Sequence, residues 1–525
     1  MRSLLLAACL LALPAQAQVQ PQNLRIAMKA AVDSSDPHLT FTPNRNVQLH
    51  VWETLLTQDE RLIARPALAE SWRAIDPLTW EFKLRPGVRF HDGSPLTAAD
   101  VAFSIRRALA APGARTYAAA VRNVTEMTVV DDLTLIVKTR VPTPLQPHFM
   151  VAIAILSERG ATDASEADFN GGRAAIGTGP YRWIRWSPAQ NVVIERSANW
   201  RGTPEPWARV TYSFIPNDSA RVAALLAGDV DVIDSVPAGL HDRIRANPQT
   251  ALFSGDSIFT YYFYLDSMSA QIPNATNAEG QVLAQNPLRD LRVRQAMNHA
   301  INRVALAERA MEGAASPAGQ IAADGFSGND PALPVPAFDP ALSRRLLAEA
   351  GYPQGFNLTI HCTLDRFAGD ARSCQAIAQM LTVAGIRTTI EALPMPVYLR
   401  RSANLLPSGV PELSAHLAMF GSSSGLASEA MTALVRTPNA ALAHGGWNRT
   451  RYSNPELDRM LADADATFDE NDRDAATRRA VRFTVDNGAL LPVFFMRSTW
   501  GVRKPLTLTP RGDQYTMATD VRLAP

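Results

Sequence analysis

The sequence predicts a mixed α/β protein built from more than one lobe. Its 525 residues are several times the length of a typical domain. Helix and strand patterns alternate along it. In one unit, residues 219–227 predict a short helix, Gly228 ends it, and the apolar strand 229–233 follows. A second unit, residues 358–390, has the pattern strand, helix, strand, and the 46% apolar content is sufficient for large cores.

Residues 1–17 have the pattern of a cleaved secretory signal peptide. Arg2 supplies the positive charge, residues 4–13 form the apolar run, and residues 15–17 fit the small-x-small cleavage rule. The run is shorter than the ~20 apolar residues of a membrane-spanning helix. Cys9 ends a Leu-Ala-Ala-Cys lipobox, which offers lipid anchoring as the alternative. Because only about five apolar residues precede this cysteine, we expect soluble release into the periplasm.

Charge and motif content exclude several function classes. Removal of residues 1–17 leaves 50 of the 51 basic residues against 50 acidic ones, so we expect no nucleic-acid partner. No later run of 18 apolar residues predicts a membrane span. The nine histidines are scattered, and no G-x-x-x-x-G-K-[ST] loop occurs. We therefore expect no metal ligands, no cofactor and no ATP hydrolysis by this chain.

The most informative stretch covers residues 66–109. Apolar and polar residues alternate over 80–84, which predicts a half-buried strand. Arg85-Pro86-Gly87 then turns the chain, and residues 88–90 resume the alternation, so the two runs predict a hairpin. Thr97 and Asp100 have capping-box spacing at the start of an apolar-faced helix.

The same stretch closely resembles the signature region of the bacterial extracellular solute-binding proteins of family 5. These are the peptide/nickel-binding receptors of ABC importers. The chain reads P-A-L-A-E-S-W from Pro66 and F-K-L-R-P-G-V-R-F-H-D-G-S-P-L-T-A-A-D-V from Phe82, which follows the family's phrase. Four further phrases match it, at residues 177–181, 224–232, 288–301 and 447–458. The resemblance extends from about residue 22 to the C-terminus.

The glycines of the 177–181 phrase have an alternative interpretation as a phosphate-binding loop. Pro180 follows the second glycine and a strand follows that, so no helix N-terminus faces the glycines. We therefore interpret the phrase as a crossover between lobes.

The resemblance implies a bilobal periplasmic-binding-protein-like fold, in which two mixed α/β lobes joined by a hinge carry an additional domain. Lobe II would comprise residues 266–492, and the extra domain residues 54–175. Lobe I would be discontinuous, with segments 18–53, 176–265 and 493–525. The hinge would lie near residues 175–180 and 262–268.

The implied function is binding and delivery, with no catalysis. A monomer would capture a peptide or peptide-like solute between its lobes and deliver it to an ABC permease and, through the permease, to the ATPase subunits. An opine, a sugar derivative and a metal chelate are alternative ligands, since a chelator supplies its own metal ligands.

We expect the ligand-binding residues in loops and strands beside the cleft, at Asp36, Tyr262, Phe420, Ser422, Ser423, Ser424, Trp447 and Asn448. Asp36 has the alternative role of turning the chain, and so do the serines. The family's peptide receptors carry an aspartate near the position of Gly421, and this aspartate binds the ligand's ammonium group. This chain has Phe420-Gly421-Ser422-Ser423-Ser424 instead, and its hydroxyls and amides suit a neutral or anionic group as well. Glu429, on the following helix, is the alternative carboxylate.

Gly421-Ser422-Ser423-Ser424-Gly425 also matches the G-x-S-x-G elbow of α/β-hydrolases, which makes a serine hydrolase the alternative outside the family. Its triad would need His444, the only later histidine, and Glu429, the only acid between them. That spacing leaves no room for the strands such a fold requires, so we expect no catalytic residue.

Cys362 and Cys374 are the two cysteines that remain after cleavage, and an even pair in an exported protein predicts a disulfide. The alternative is two free buried thiols.

Overall fold

The computed structural model describes residues 22–40, 42–111, 115–422 and 424–524. The predicted signal peptide, Cys9 and Ser423 lie outside these residues. Within them, no helix combines the length and apolarity needed to cross a membrane.

The strands are numbered in chain order as follows: β1 (Gln22–Met28), β2 (Leu56–Gln58), β3 (Ala64–Pro66), β4 (Ala69–Asp76), β5 (Thr79–Leu84), β6 (Val124–Asp131), β7 (Thr134–Thr139), β8 (Tyr181–Ser187), β9 (Asn191–Arg196), β10 (Trp207–Phe214), β11 (Val232–Ile233), β12 (Thr250–Leu265), β13 (Ala275–Thr276), β14 (Ala315–Pro317), β15 (Phe356–Thr363), β16 (Ile386–Leu393), β17 (Ala415–Gly421), β18 (Leu491–Arg503), β19 (Leu506–Leu508) and β20 (Val521–Leu523).

The α-helices are α1 (Thr42–Val51), α2 (Ala98–Ala110), α3 (Ala118–Val121), α4 (Gln146–Phe149), α5 (Glu158–Ala161), α6 (Glu166–Asn170), α7 (Asp218–Ala227), α8 (His241–Arg245), α9 (Leu291–Ala300), α10 (Arg303–Ala305), α11 (Pro340–Glu349), α12 (Asp370–Ala384), α13 (Met395–Ala403), α14 (Ala427–Leu434), α15 (Pro455–Ala466) and α16 (Glu470–Asp486).

One large mixed sheet runs through both lobes in the order β13-β15-β17-β12-β18-β11-β1-β10-β9-β8, with β16 paired to β15 and β14 to β18. Strands β1, β10 and β11 pair in parallel, and β8, β9 and β10 pair in antiparallel fashion, around the core of lobe I. Strands β15 and β16 pair in parallel in lobe II. The mixed sheet with its separate cores has the bilobal α/β architecture expected from the sequence.

Two long antiparallel strands, β12 and β18, connect the lobes. Their register is interrupted between Asp256 and Thr260. Phe253 packs against the core of lobe I, whereas Tyr261 belongs to a core of lobe II. Beyond that point β12 is buried on both faces, with Tyr261 and Phe263 in one core and Tyr262 and Tyr264 in another. The strand alternation therefore divides lobe II into two apolar layers.

The additional domain is built on the antiparallel sheet β4-β5-β7-β6, which packs against α2. The predicted capping box of α2 is present, since the Asp100 carboxylate accepts the Thr97 N–H at 2.9 Å. The predicted hairpin of residues 80–84 with 88–90 is wrong. Strand β5 pairs instead with β4 and β7, because its apolar side chains then pack with theirs in one core against α2.

The glycines of the 177–181 phrase pack against the last turn of α1. A Cβ on Gly177 would lie 1.9 Å from the Val51 carbonyl oxygen, and one on Gly179 would lie 2.3 Å from that of His50. His91 holds the same segment, because its Nδ1 accepts the Gly177 N–H at 3.3 Å and its Nε2 lies 3.0 Å from the Gly179 oxygen. These positions require glycine because of the close approach of two backbones.

Cys362 on β15 and Cys374 on α12 form a disulfide in the structure, with their Cα atoms 6.4 Å apart. Both are fully buried in the lobe II core that contains Tyr261.

Candidate functional site

A cleft of about 1490 Å³ opens between the lobes. One wall comes from α1, α3, the segment 142–152 that includes α4, the loop at 200–205 and the C-terminal segment 511–520. The other comes from the turn after β17, helix α14 and the turn at 442–447. Pockets that enclose small ligands measure ~300–1,000 Å³. This cleft is larger, as expected for a site whose walls must approach each other to enclose a ligand.

The turn after β17 holds a carboxylate towards the cleft. Ser422 Oγ donates to Glu429 Oε2 at 2.7 Å, and Ser424 Oγ donates to the same oxygen. The two hydroxyls lie 2.9 Å apart. Ser424 and Glu429 line the cleft, and the Glu429 side chain is exposed there. In the described part of the chain Glu429 has no cationic partner, so its charge is available to a ligand.

Trp447 presents an exposed aromatic side chain to the cleft. It lines the cleft and keeps 45% of its surface accessible. Phe420 meets it edge to face at 6.3 Å between ring centroids, and the Arg449 guanidinium carbon lies 4.5 Å from the indole centroid. These contacts fix the orientation of the ring. Phe420 itself lines a small adjacent recess next to Ser422.

Tyr262 and Asn448 lie in the interior behind this wall. Burial raises the pKa of Tyr262, which packs edge to face on Tyr264. The Asn448 amide donates to the Arg436 and Tyr452 carbonyls at 3.0 and 2.7 Å and accepts the Tyr452 N–H at 3.0 Å. Neither residue is part of the cleft lining, and their proposed ligand contacts stay predictions.

Asp36 also lies away from the cleft lining. Its carboxylate accepts two guanidinium N–H groups of Arg107, at 3.0 and 2.6 Å, and the His38 N–H at 3.0 Å. The arrangement holds the loop after β1 against α2. Ligand binding by Asp36 stays a prediction beside this evident structural role.

The wall opposite Glu429 contains charged residues that no sequence motif indicated. Arg201 makes two hydrogen bonds of 2.6 Å to Glu53. Arg511 donates to Asp513 at 2.7 Å. Arg122, directly after α3, is exposed in the cleft and has no side-chain partner in the described segments. Arg201 and Glu53 are 148 residues apart in the sequence, so no local pattern could have revealed their pairing.

Over the described residues, no group of three His, Cys, Asp or Glu side chains is arranged to hold a metal ion. His444 lines the cleft, and burial lowers its pKa. Glu429 binds Ser422 and Ser424, and no hydrogen bond joins it to His444 within the described ranges. This arrangement does not support the Ser-acid-His order of a hydrolase, although the predicted nucleophile Ser423 lies outside the described residues.

Comparison with known proteins identifies relatives along most of the chain. The family model described as "Bacterial extracellular solute-binding proteins, family 5 Middle" matches residues 64–409. The glutathione-binding protein GsiB of Pectobacterium atrosepticum is 28% identical over 462 residues, which cover 85% of this chain and 84% of that protein. GsiB of Escherichia coli K12 is 25% identical, with 87% and 86% covered.

Solved structures share the fold at lower identity. HbpA2 from Haemophilus parasuis superposes with a TM-score of 0.81 at 22% identity, covering 96% of this chain and all of that one. The unliganded open form of the periplasmic murein tripeptide-binding protein MppA superposes with a TM-score of 0.80 at 20% identity, covering 96% and 98%.

Proposed function

The chain belongs to family 5 of the bacterial extracellular solute-binding proteins, and from this premise we propose that its cleft captures a peptide-like solute for an ABC permease. The observation that carries the proposal is the two-walled cleft. Its walls belong to lobes that share the two crossing strands β12 and β18, so a ligand touching both walls would favour the closed arrangement. Only a ligand with different affinities for open and closed forms can shift that equilibrium.

Glu429 is the feature that favours a peptide-like ligand. Its carboxylate has no cationic partner among the described residues and is oriented by two serine hydroxyls. Because Glu429 lines the cleft, an ammonium group of a bound ligand can contact it. A charge-assisted hydrogen bond to such a group contributes about 1.5–3 kcal/mol. Arg122 on the opposite wall offers the complementary charge for a carboxylate. The exposed Trp447 ring supplies apolar contact area on the same wall as Glu429.

The remaining parts of the proposal follow from the family. The exported protein acts in the periplasm as a monomer without enzymatic activity, and its permease partner passes the solute on with the energy of the ATPase subunits. The segments 18–53, 176–265 and 493–525 act as one lobe and 266–492 as the other, except that the end of β12 around Tyr261 and the start of β18 around Phe494 pack in the core of the second lobe. The relatives named for glutathione support a small peptide as ligand, and an opine, a sugar derivative or a metal chelate remain the alternatives.

Native mass spectrometry of freshly purified protein tests the proposal. We expect a 1:1 complex with a molecule of peptide mass, lost after partial unfolding and regained on adding it back. A thermal-shift screen of the stripped protein against peptides, opines, sugar derivatives and chelates should then give shifts with peptides. No shift with any of these classes would contradict the proposal. Labelling of the chain by an active-site serine probe would favour the hydrolase instead.

A further inference from the structure

We propose that the cleft selects solutes carrying positive charge and that Glu429 determines this selection. The inference rests on the proposed function, because it concerns the same cleft. It differs from what the relatives' names suggest, since glutathione has two carboxylates and one ammonium group and is therefore an anion at neutral pH.

The charged lining of the cleft is predominantly acidic. Four guanidinium groups line it, those of Arg45, Arg122, Arg201 and Arg511. Eight carboxylates line it, those of Glu53, Asp59, Glu60, Glu205, Glu429, Asp465, Asp513 and Asp520. No lysine lies in the described part of this lining. The side chains that line the cleft therefore include more carboxylates than guanidinium groups.

Most of the guanidinium groups are already occupied. Arg45 is buried and donates to the Val151 and Ala152 carbonyls at 2.9 and 3.4 Å. Arg201 binds Glu53, and Arg511 binds Asp513. Arg122 alone is exposed and unpaired within the described ranges. Among the described lining residues, a single guanidinium is thus free to bind an anionic ligand group.

Six of the eight carboxylates are also paired with arginines, and three of those arginines lie outside the lining: Arg65 binds Asp59, Arg522 binds Glu205 and Arg436 binds Asp465. Within the described lining, two carboxylates are left without such a partner. Glu429 and Glu60 are exposed and have no cationic partner in the segments described. Asp465 is paired with Arg436, but its side chain is 38% exposed and that of the arginine only 9%. This pair therefore shows its negative end to the cleft and keeps its positive end in the interior.

The carboxylates of one wall also affect each other. Burial raises the pKa of Asp520 to about 6; Arg511 and Arg522 oppose this increase, and the neighbouring carboxylates Asp513 and Glu60 add to it. A cationic ligand group would relieve this repulsion, whereas an additional carboxylate would increase it. Of the free carboxylates, Glu429 is the one held in place by two hydroxyl donors, so we assign the main contact to it.

Isothermal titration calorimetry with Gly-Lys-Gly, Gly-Ala-Gly, Gly-Glu-Gly and glutathione tests the inference. On the stripped wild-type protein at neutral pH and low salt, we expect the lysine peptide to bind tightest and the glutamate peptide and glutathione weakest. The lysine and glutamate peptides should differ at least about tenfold in Kd, because a charge-assisted hydrogen bond is gained in one case only. Equal or tighter binding of the glutamate peptide or glutathione would overturn the inference and leave the proposed function standing.

Glu429→Gln should reduce this selectivity about tenfold, since the amide keeps the shape and loses the charge. Glu279→Gln is the matched control, because it removes the same charge from an exposed loop outside the cleft lining. Unchanged selectivity in Glu429→Gln would refute the role of Glu429. The wild-type series keeps the charge preference testable if that variant fails to fold. Absence of binding by every peptide would contradict both the inference and the proposed function.

Discussion

Replacing Asp36 by alanine separates a structural role from a ligand-binding role. The Asp36 side chain is 7% exposed and that of Arg107 18% exposed. The carboxylate accepts two guanidinium N–H groups and one backbone N–H. Asp36→Ala removes both hydrogen bonds from the Arg107 guanidinium to this carboxylate and leaves the guanidinium charge largely buried.

The magnitude follows from that burial. Breaking a buried ion pair by removing one partner typically costs about 3–5 kcal/mol, because the remaining charge loses its compensation. Replacing both partners by apolar residues is often close to neutral. We therefore expect Asp36→Ala to lower the free energy of unfolding by about 3 kcal/mol or more. Asp36→Leu combined with Arg107→Met should recover much of that loss.

Urea unfolding followed by tryptophan fluorescence measures these effects, and calorimetry measures ligand affinity in the same proteins. The midpoint of the transition that reports lobe I should fall for the single variant, and the ligand Kd should change less than about twofold, within measurement error of 0.4 kcal/mol. Stability unchanged within about 0.5 kcal/mol, together with loss of ligand binding, would refute the structural account and support direct ligand contact by Asp36.

Three further predictions concern the scaffold. Gly177→Ala should lower the free energy of unfolding by about 1–3 kcal/mol or more, because the added Cβ would meet the Val51 carbonyl. Gly239→Ala, whose Cβ would have only a distant side chain nearby, should change that free energy little. Equal effects of the two variants in urea titrations would contradict this expectation. Burial lowers the pKa of His91 from 6.5 to about 4. Between these two pH values the unfolded chain therefore binds more protons at this residue than the folded protein does. Stability should therefore fall as pH decreases from 6.5 towards 4, and His91→Gln should reduce that slope by up to about 1.4 kcal/mol per pH unit; an unchanged slope would count against it. The denatured, unreduced mature protein, which lacks Cys9, should titrate no free thiol, and two free thiols would exclude the disulfide. Changing Cys362 and Cys374 to serine should lower the free energy of unfolding by about 3 kcal/mol by the chain-entropy estimate.

Features with short-range causes were predictable from the sequence. Helix α2 begins where Thr97 and Asp100 predicted it, because a capping box involves residues three apart. Helix α7 ends at Gly228, which adopts a left-handed conformation there. The family phrases add the bilobal arrangement, which no single element implies.

Features with long-range causes were missed. Strand β5 was predicted, but its partners were not, since register depends on which side chains complete a distant core. Strand β12 begins at Thr250, well before its continuous buried run from Thr260 to Leu265. Its first part contains Gly255, which sequence patterns associate with turns. A Cβ at that position would lie 2.7 Å from the Pro510 side chain, so a close approach explains the glycine.

The cleft was the least predictable part for the same reason. Arg201 and Glu53 are 148 residues apart in the chain, and their pairing appears only after folding. The serine-rich turn was indicated, but the direction of its hydroxyls towards Glu429 depends on where α14 begins. A ligand contact by Asn448 stays a prediction, and the two carbonyl groups that its amide connects in the interior could not be read from the sequence.

Hydrogen–deuterium exchange with and without saturating Gly-Lys-Gly tests the central claim that a solute bridges the two lobes. We predict added protection on both walls together, at α3 with Arg122 on one side and at α14 with Glu429 on the other. The crossing strands should show little change, because their hydrogen bonds persist in both arrangements. Protection confined to one wall, or absent from both at a saturating peptide concentration, would contradict the account.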